Sequence, residues 1–346
     1  MKRLLTTVFA LILCAAALPA WGGEVEVRVS GQPCLHGLPN WWAMETGEEK
    51  KDGIAYTYTL FPSGAPQNEA LAADQWDVGN MGTVPTIMAV LRYGAKIVAV
   101  SNDESETNDI WVRPDSPLLH TKGAMPGYPD IYGKPEDWKN KKILVTTVST
   151  SHYALSRTLK ALGLTDKDVE LINIEQAQAI TAFSSGNGDI VALFAPYGYI
   201  AESKGWKKVS SGRAAGVVVP GGCVVRKGFA EEHPDEVVKW LIVQQRMFGR
   251  MIDDKPEAQK WLTKYFKDYC GLVLPEEAIA KEFQLRPLFK TDAQIQALTD
   301  PTKLQAWMAD IVEFFVEQKQ LTRKNAELLK AMNYGIDATF IQKVAK

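Results

Sequence analysis

Hydrophobic positions along the chain switch repeatedly between a two-residue period and a one-face-of-a-helix period, which predicts strands alternating with helices. Val25-Glu26-Val27-Arg28-Val29 alternates strictly, and Tyr56-Thr57-Tyr58-Thr59-Leu60 is rich in strand formers. Between them, residues 40–47 predict a short helix closed by Gly47. A helix over 67–73, a brief strand over 77–80 and a helix entered through Met81-Gly82-Thr83-Val84-Pro85 extend the series. The theme then restarts with the strand Lys142-Ile143-Leu144-Val145, a helix carrying Leu155, Leu159 and Leu162 on one face, a strand over 169–173, a helix around 177–183 and a strand over 190–194. The phrase helix, turn, Asp, apolar strand thus occurs twice, at 70–79 and 182–192, and the simplest reading is two similar α/β lobes.

Extended segments beside chain breakers mark the expected crossings between the lobes, at 110–114 on the way out and 216–226 on the way back. The expected division is a leader over 1–22, a discontinuous first lobe over 23–113 and 224–346, and a second lobe over 114–223. The Gly- and Pro-rich stretch 116–138 reads as a surface excursion. From His233-Pro234-Asp235-Glu236 onward the pattern is helical, with Val237, Trp240 and Leu241 on one face, and these helices are expected to cover the first lobe.

The leader assignment rests on Lys2 and Arg3 followed by an apolar run to Ala17 and a small-residue region to Gly23, the layout of a secretory signal peptide. Leu13 is too bulky to precede a lipidated cysteine, so Cys14 is read as part of the cleaved segment, and the mature protein is expected to be soluble and periplasmic. Loss of Lys2 and Arg3 takes the formal net charge from −2 to −4, which argues against nucleic acid as a partner. Cys34, Cys223 and Cys270 would remain in a compartment that permits disulfides; one bridge and one free thiol are possible, the pair is left open, and buried thiols are the default. No Cys and His pairs have zinc-like spacing, so no metal or other cofactor is expected.

The stretch Thr146-Thr147-Val148-Ser149-Thr150-Ser151-His152-Tyr153 crowds five hydroxyls at the start of a helix. Unpaired N–H groups and the positive end of a helix dipole suit a carboxylate, sulfonate or phosphate there, with hydroxyls as neutral donors. Ordinary N-capping by Ser149, Thr150 or Ser151 is the competing explanation.

Four ordered segments carry a family resemblance: Asp77-Val78-Gly79-Asn80-Met81-Gly82-Thr83-Val84-Pro85, Lys134-Pro135-Glu136-Asp137-Trp138, Val148-Ser149-Thr150-Ser151-His152-Tyr153-Ala154-Leu155, and Val224-Val225-Arg226-Lys227-Gly228-Phe229-Ala230-Glu231-Glu232-His233-Pro234. Together they closely resemble the periplasmic substrate-binding proteins of ABC importers for taurine, other sulfonates and nitrate. The resemblance implies an α/β, two-lobed type II periplasmic binding protein fold with two hinge strands and additional C-terminal helices. It implies a small anionic or zwitterionic solute in the interlobe cleft, sulfonate-like first, delivered by a monomer to an ABC permease and its ATPase. Residue by residue, it places Asn80, Gly82 and Thr83 on the lobe-one turn, and Ser149, Thr150, Ser151 and His152 on the lobe-two turn that holds the acidic group. Asn108 and Asp109 fall where the taurine branch carries a polar residue and a carboxylate, and Phe194-Ala195-Pro196 where it has an aromatic wall.

One departure stands out: where that branch places an Asp before the returning hinge strand, this chain has Gly221-Gly222-Cys223. A buried ammonium needs a negative partner, so an amine-bearing ligand would require Asp109 or Glu106. The acidic run Asn102-Asp103-Glu104-Ser105-Glu106 is read as a solvated loop, with selection of a cationic or amine-bearing solute as the alternative. His36, Trp41, Trp42 and Gly221 complete the expected ligand-binding set, Trp41 and Trp42 against the competing fate of core packing. No Gly-x-Ser-x-Gly elbow, Walker loop or His-Glu-x-x-His helix occurs, so no enzymatic activity is expected. The pyrimidine synthases of thiamine biosynthesis use a related fold with a Cys-rich iron motif that this chain lacks. A ligand-presenting partner of a sensor shares the same binding physics.

Overall fold

The computed structural model describes residues 25–344; the expected leader, with Cys14, lies outside them. Among the described residues, ten strands form two five-stranded sheets. The first contains β1 (Val25–Gly31), β2 (Ile54–Leu60), β3 (Val78–Gly82) and β4 (Lys96–Asp103). The second contains β5 (Asn108–Val112), β6 (Lys142–Val145), β7 (Glu170–Asn173), β8 (Ile190–Phe194) and β9 (Lys207–Ser211), and β10 (Pro220–Val225) returns to the first. The orders β2-β1-β3-β10-β4 and β7-β6-β8-β5-β9 are the same arrangement built twice. In each, the fourth strand runs antiparallel to both neighbours: β10 against β3 and β4, β5 against β8 and β9.

The repeated Asp has a shared physical task. Asp77 donates its N–H to the carbonyl of Arg28 at 2.8 Å and accepts the Arg28 N–H on Oδ2 at 3.1 Å. Asp189 makes the matching pair with Lys142, at 2.7 and 2.8 Å. Each carboxylate therefore ties the entry of a central strand to its parallel neighbour, β3 to β1 and β8 to β6, satisfying backbone groups that would otherwise be unpaired. Asp77 also takes Arg28 and Arg226 side chains at 2.6 and 2.9 Å, fastening β10 to the same corner.

The crossings differ from those expected. The outward change of sheet falls between β4 and β5, ahead of Arg113, because Ile110 and Val112 are consumed as buried positions of the second core. The stretch 116–138 is an excursion as expected, but Leu118, Ile131 and Trp138 anchor it in that core. Cys34, Cys223 and Cys270 are all free thiols, the first two buried.

The C-terminal helices cover the first sheet, burying Trp240, Phe248 and Phe314 in one cluster with Val27, Val29 and Trp42. Two of them also reach the second lobe. From helix Thr302–Glu317, Asp310 accepts the Tyr153 hydroxyl and Arg157 Nε, the latter at 3.0 Å, while Glu317 accepts Arg157 Nη1 at 2.6 Å. From helix Glu276–Leu285, Glu282 accepts the Tyr199 hydroxyl at 2.7 Å, and Lys281 pairs with Glu202 at 2.9 Å.

Candidate functional site

A cavity opens where the two sheets face each other, lined by Gln32, Cys34, His36, Gly64, Gly82, Pro85, Glu104, Ser149, Thr150, Phe194 and Arg286. The two halves approach so closely that about 20 Å³ remains, room for roughly one water, so the structure is of a closed cleft. Helix Thr83–Tyr93 begins at Gly82 from the first half, and helix Thr150–Ala161 begins at Ser149 from the second. Their N-termini face each other: a Cβ built on Gly82 would lie 2.7 Å from Thr150 Cγ2. The first N–H groups of a helix have no intrahelical acceptor, so two helix starts on one small cavity suit negative charge.

Three buried charged groups, His36, Glu104 and Arg286, line it, and Glu282 pairs with Arg286 from behind. His36 Nδ1 lies 2.8 Å from Glu104 Oε1, and Arg286 Nη1 lies 3.0 Å from Glu282 Oε1. Arg286 Nε also donates to Thr107 Oγ1 at 3.2 Å, and Glu282 accepts the Leu35 N–H at 3.2 Å, so the pair is tied to both halves. Burial alone would lower the pKa of His36, but Cys34 and Glu104 outweigh it and raise it to about 10. Glu104 goes the other way: burial pushes up, while Arg286 and His36 bring it down to about 2. Burial opposes the charge of Arg286 too, and Glu282 and Glu104 hold its pKa above the ordinary value. The signs bound a stability window. Glu104 contributes above about 4.5 and loses its contribution as pH falls toward 2, whereas His36 contributes below about 6.5 and loses it as pH rises through 10.

Of the residues expected from sequence, His36, Gly82, Ser149, Thr150 and Phe194 line this cavity. Ser149 divides its role, donating to the Thr146 carbonyl at 2.6 Å and accepting the His152 N–H at 3.3 Å, so its hydroxyl is an N-cap first. Ser151 is fully buried against Ser149 Oγ at 2.9 Å, away from the cavity. His152 is turned to the back of its helix: Nε2 meets Asp166 at 2.7 Å and Nδ1 accepts the Val148 N–H at 3.1 Å. It orients the turn without reaching the cavity.

Trp41 and Trp42 belong to the core, where Trp261 and Tyr265 pack on them. Asn80 supports the site from behind, donating to the His36 carbonyl at 2.8 Å, and Asn108 donates to the Glu104 carbonyl at 2.8 Å. Neither of these, nor Thr83, Pro196 or Gly221, lines the cavity. At Gly221 the space for a side chain is taken by Asn102 Oδ1 and Ser101 Oγ, which is why the returning strand carries glycine there.

Asp109 lies in a different cavity, with Trp111, Tyr199 and Lys208. Lys208 Nζ stands 3.5 Å from Oδ1, in ion-pair range but too long to satisfy it. Burial, only partly offset by Lys208, raises the Asp109 pKa to about 7. A carboxyl raised in the folded state costs stability progressively as pH climbs from about 4 to 7. Asp109→Asn should therefore be stabilising relative to wild type by about 2–4 kcal/mol at pH 8 and by little at pH 4. Urea unfolding at the two pH values checks it; an equal difference at both would refute the assignment.

Glu104 and Arg286 line the cavity although they are not among the residues expected from sequence. Glu104 sits in the acidic run read as solvated, but β4 carries it inward and only 2 % of it is exposed. Arg286 follows an unremarkable amphipathic helix, and no local pattern separates it from a surface arginine.

Comparison with known proteins bears on the family and the fold. The model of the NMT1-like family matches residues 24–264. An ABC transporter periplasmic binding protein of Brachyspira hyodysenteriae is 26 % identical over 343 residues, covering 98 % of this chain and 96 % of the relative. An aliphatic sulfonates-binding protein of Bacillus subtilis is 31 % identical over 255 residues, covering 70 % of this chain and 72 % of the relative. Among solved structures, the periplasmic aliphatic sulphonate binding protein SsuA of Escherichia coli superposes with a TM-score of 0.68 at 20 % identity, covering 88 % of this chain and 96 % of that one.

Proposed function

The chain belongs to the NMT1-like family, and from that premise we propose that it is the periplasmic solute-binding component of an ABC importer. It captures a small oxyanion-bearing organic solute, sulfonate-like first, and presents it to a permease with its ATPase. The two lobes in this reading are the two sheets with their covering helices, crossed by the chain at 104–107 and 212–219. The observation that carries the reading is the meeting of two helix N-termini with buried Arg286 on one interlobe cavity. Dipoles and a guanidinium already fixed in place need little reorganisation when the ligand's charge arrives, and closure removes that charge from water. The cavity in the closed form is small, so a solute enters by separation of the lobes and is enclosed by their return. Relatives named for binding aliphatic sulfonates and, in Escherichia coli, taurine support the chemical class, and the reading is of binding without turnover.

Calorimetric titration with alkanesulfonates, carboxylates, nitrate and phosphate, paired with thermal unfolding, is the test. A sulfonate should bind one to one, raise the unfolding temperature with concentration, and be recovered unchanged. Thr150→Ala should weaken that binding about three- to tenfold with the fold retained. If no oxyanion shifts the unfolding temperature, the reading is rejected.

A further inference from the structure

Val148 carries a β-branched side chain at φ 59°, in the left-handed region that such residues avoid. It lies immediately before Ser149, the N-cap of the helix whose start meets the cavity, so its backbone sets the direction in which that helix end is presented. The Val148 N–H donates to His152 Nδ1 at 3.1 Å. A backbone N–H can only donate, so Nδ1 is the bare nitrogen of the ring and the proton sits on Nε2, which meets Asp166 Oδ2 at 2.7 Å. The other oxygen of that carboxylate accepts the Ser156 hydroxyl at 2.6 Å, and Phe314 stands edge-on to the imidazole with ring centroids 5.2 Å apart. Packing and hydrogen bonds thus leave the buried ring one orientation and one tautomer.

Capping alone does not call for this arrangement, because the Ser149 hydroxyl already accepts the His152 N–H at the helix start. Glycine would take the Val148 backbone angles without cost, but valine also packs its side chain against the core cluster of the first sheet. A strained residue persists only where its surroundings hold it. Without an acceptor at Nδ1, Val148 is free to return to the extended region and turn Ser149 and Thr150 from the cavity. A solute would then have to restore the turn as it binds, and its apparent affinity falls with the fraction of molecules already in the competent form. We propose that His152 is a positioning residue for oxyanion capture: oriented by Asp166, its bare Nδ1 holds Val148 in the left-handed conformation that presents the start of helix Thr150–Ala161 to the solute. The proposal rests on the cleft reading above and adds how the grip of its second half is kept ready.

Ethanesulfonate, or the carboxylate, nitrate or phosphate that wild type proves to hold instead, is titrated calorimetrically into wild type, His152→Ala, His152→Asn and the double variant His152→Ala with Val148→Gly. His152→Ala should bind about 10- to 30-fold more weakly. His152→Asn, whose Oδ1 can take the place of Nδ1 and accept the same N–H, should stay within about threefold of wild type. Adding Val148→Gly to His152→Ala should raise affinity by at least about threefold, because glycine adopts the turn unaided, and should leave the lost thermal stability unrecovered. A role in packing alone predicts the opposite sign, since each substitution removes contacts. Heteronuclear NMR of the wild-type imidazole should find the proton on Nε2. A ring protonated at Nδ1, a His152→Ala variant that binds like wild type, or a Val148→Gly addition that fails to raise affinity overturns the proposal and leaves the cleft reading standing. A wild type that binds none of these oxyanions rejects the cleft reading and this proposal with it. Should His152→Ala fail to fold, His152→Gln, which reaches Asp166 but offers no acceptor at the Nδ1 position, takes its place with the same expectations.

Discussion

Arg286→Met is expected to lower affinity for an oxyanion by at least about 100-fold and to destabilise the protein by about 3–5 kcal/mol. Two separate consequences of one buried charge combine here. The guanidinium is 2 % exposed, so its attraction for a ligand anion is little screened, and methionine offers similar bulk with no donor. Glu282, itself wholly buried, would lose its charged partner while keeping only the Tyr199 hydroxyl and the Leu35 N–H. A double variant separates the two effects. Adding Glu282→Gln should restore much of the stability because no bare carboxylate remains, yet binding should stay lost. Denaturant unfolding and calorimetry on the three proteins decide it, and a double variant that regains affinity would mean Arg286 acts only through the fold.

The second large effect is expected at Gly82. Its backbone, at φ −62° and ψ 152°, is open to any residue, so Gly82→Val should fold. A β-carbon there meets Thr150 Cγ2 at 2.7 Å and Glu104 Oε2 at 3.3 Å, and the added methyls crowd the same gap. Because Thr150 belongs to the opposite half, the clash is relieved by keeping the halves apart rather than by local unfolding. Affinity should fall about 10- to 100-fold with melting temperature nearly unchanged, and small-angle scattering should report a larger radius of gyration in saturating ligand. Thr150→Ala in the same chain should return part of the affinity. If Gly82→Val closes and binds like wild type, the cleft does not shut along this contact.

The halves of this architecture were readable because they obey local rules. Apolar runs of strand length and the recurring Asp at 77 and 189 announced two copies of one unit, and each Asp proves to pair with the backbone of the strand parallel to its own. The turn residues Ser149 and Thr150 were readable because helix starts have a residue signature, whereas Gly82 came from the family resemblance. What escaped depends on long-range placement. His152 looks like a donor until Asp166, fourteen positions later, turns its ring away. Trp41 and Trp42 look like cleft aromatics until Trp261 and Tyr265 cover them. Arg286 and Glu104 lie 182 positions apart in sequence and gain their meaning only from sharing one dry space.

The clasp at the rear has its own bearing on how such a protein works. Arg157, on the helix whose front end meets the cavity, holds Asp310 and Glu317 on a helix seated against the first sheet. The shut arrangement is thus subsidised before any solute arrives, and the cargo need contribute only the remainder of the free energy that tips the balance. Whatever pries the jaws apart for unloading must break this rear stitching as well as the grip on the cargo. The balance between shut and parted halves is, in this chain, partly set at Arg157, far from the cavity.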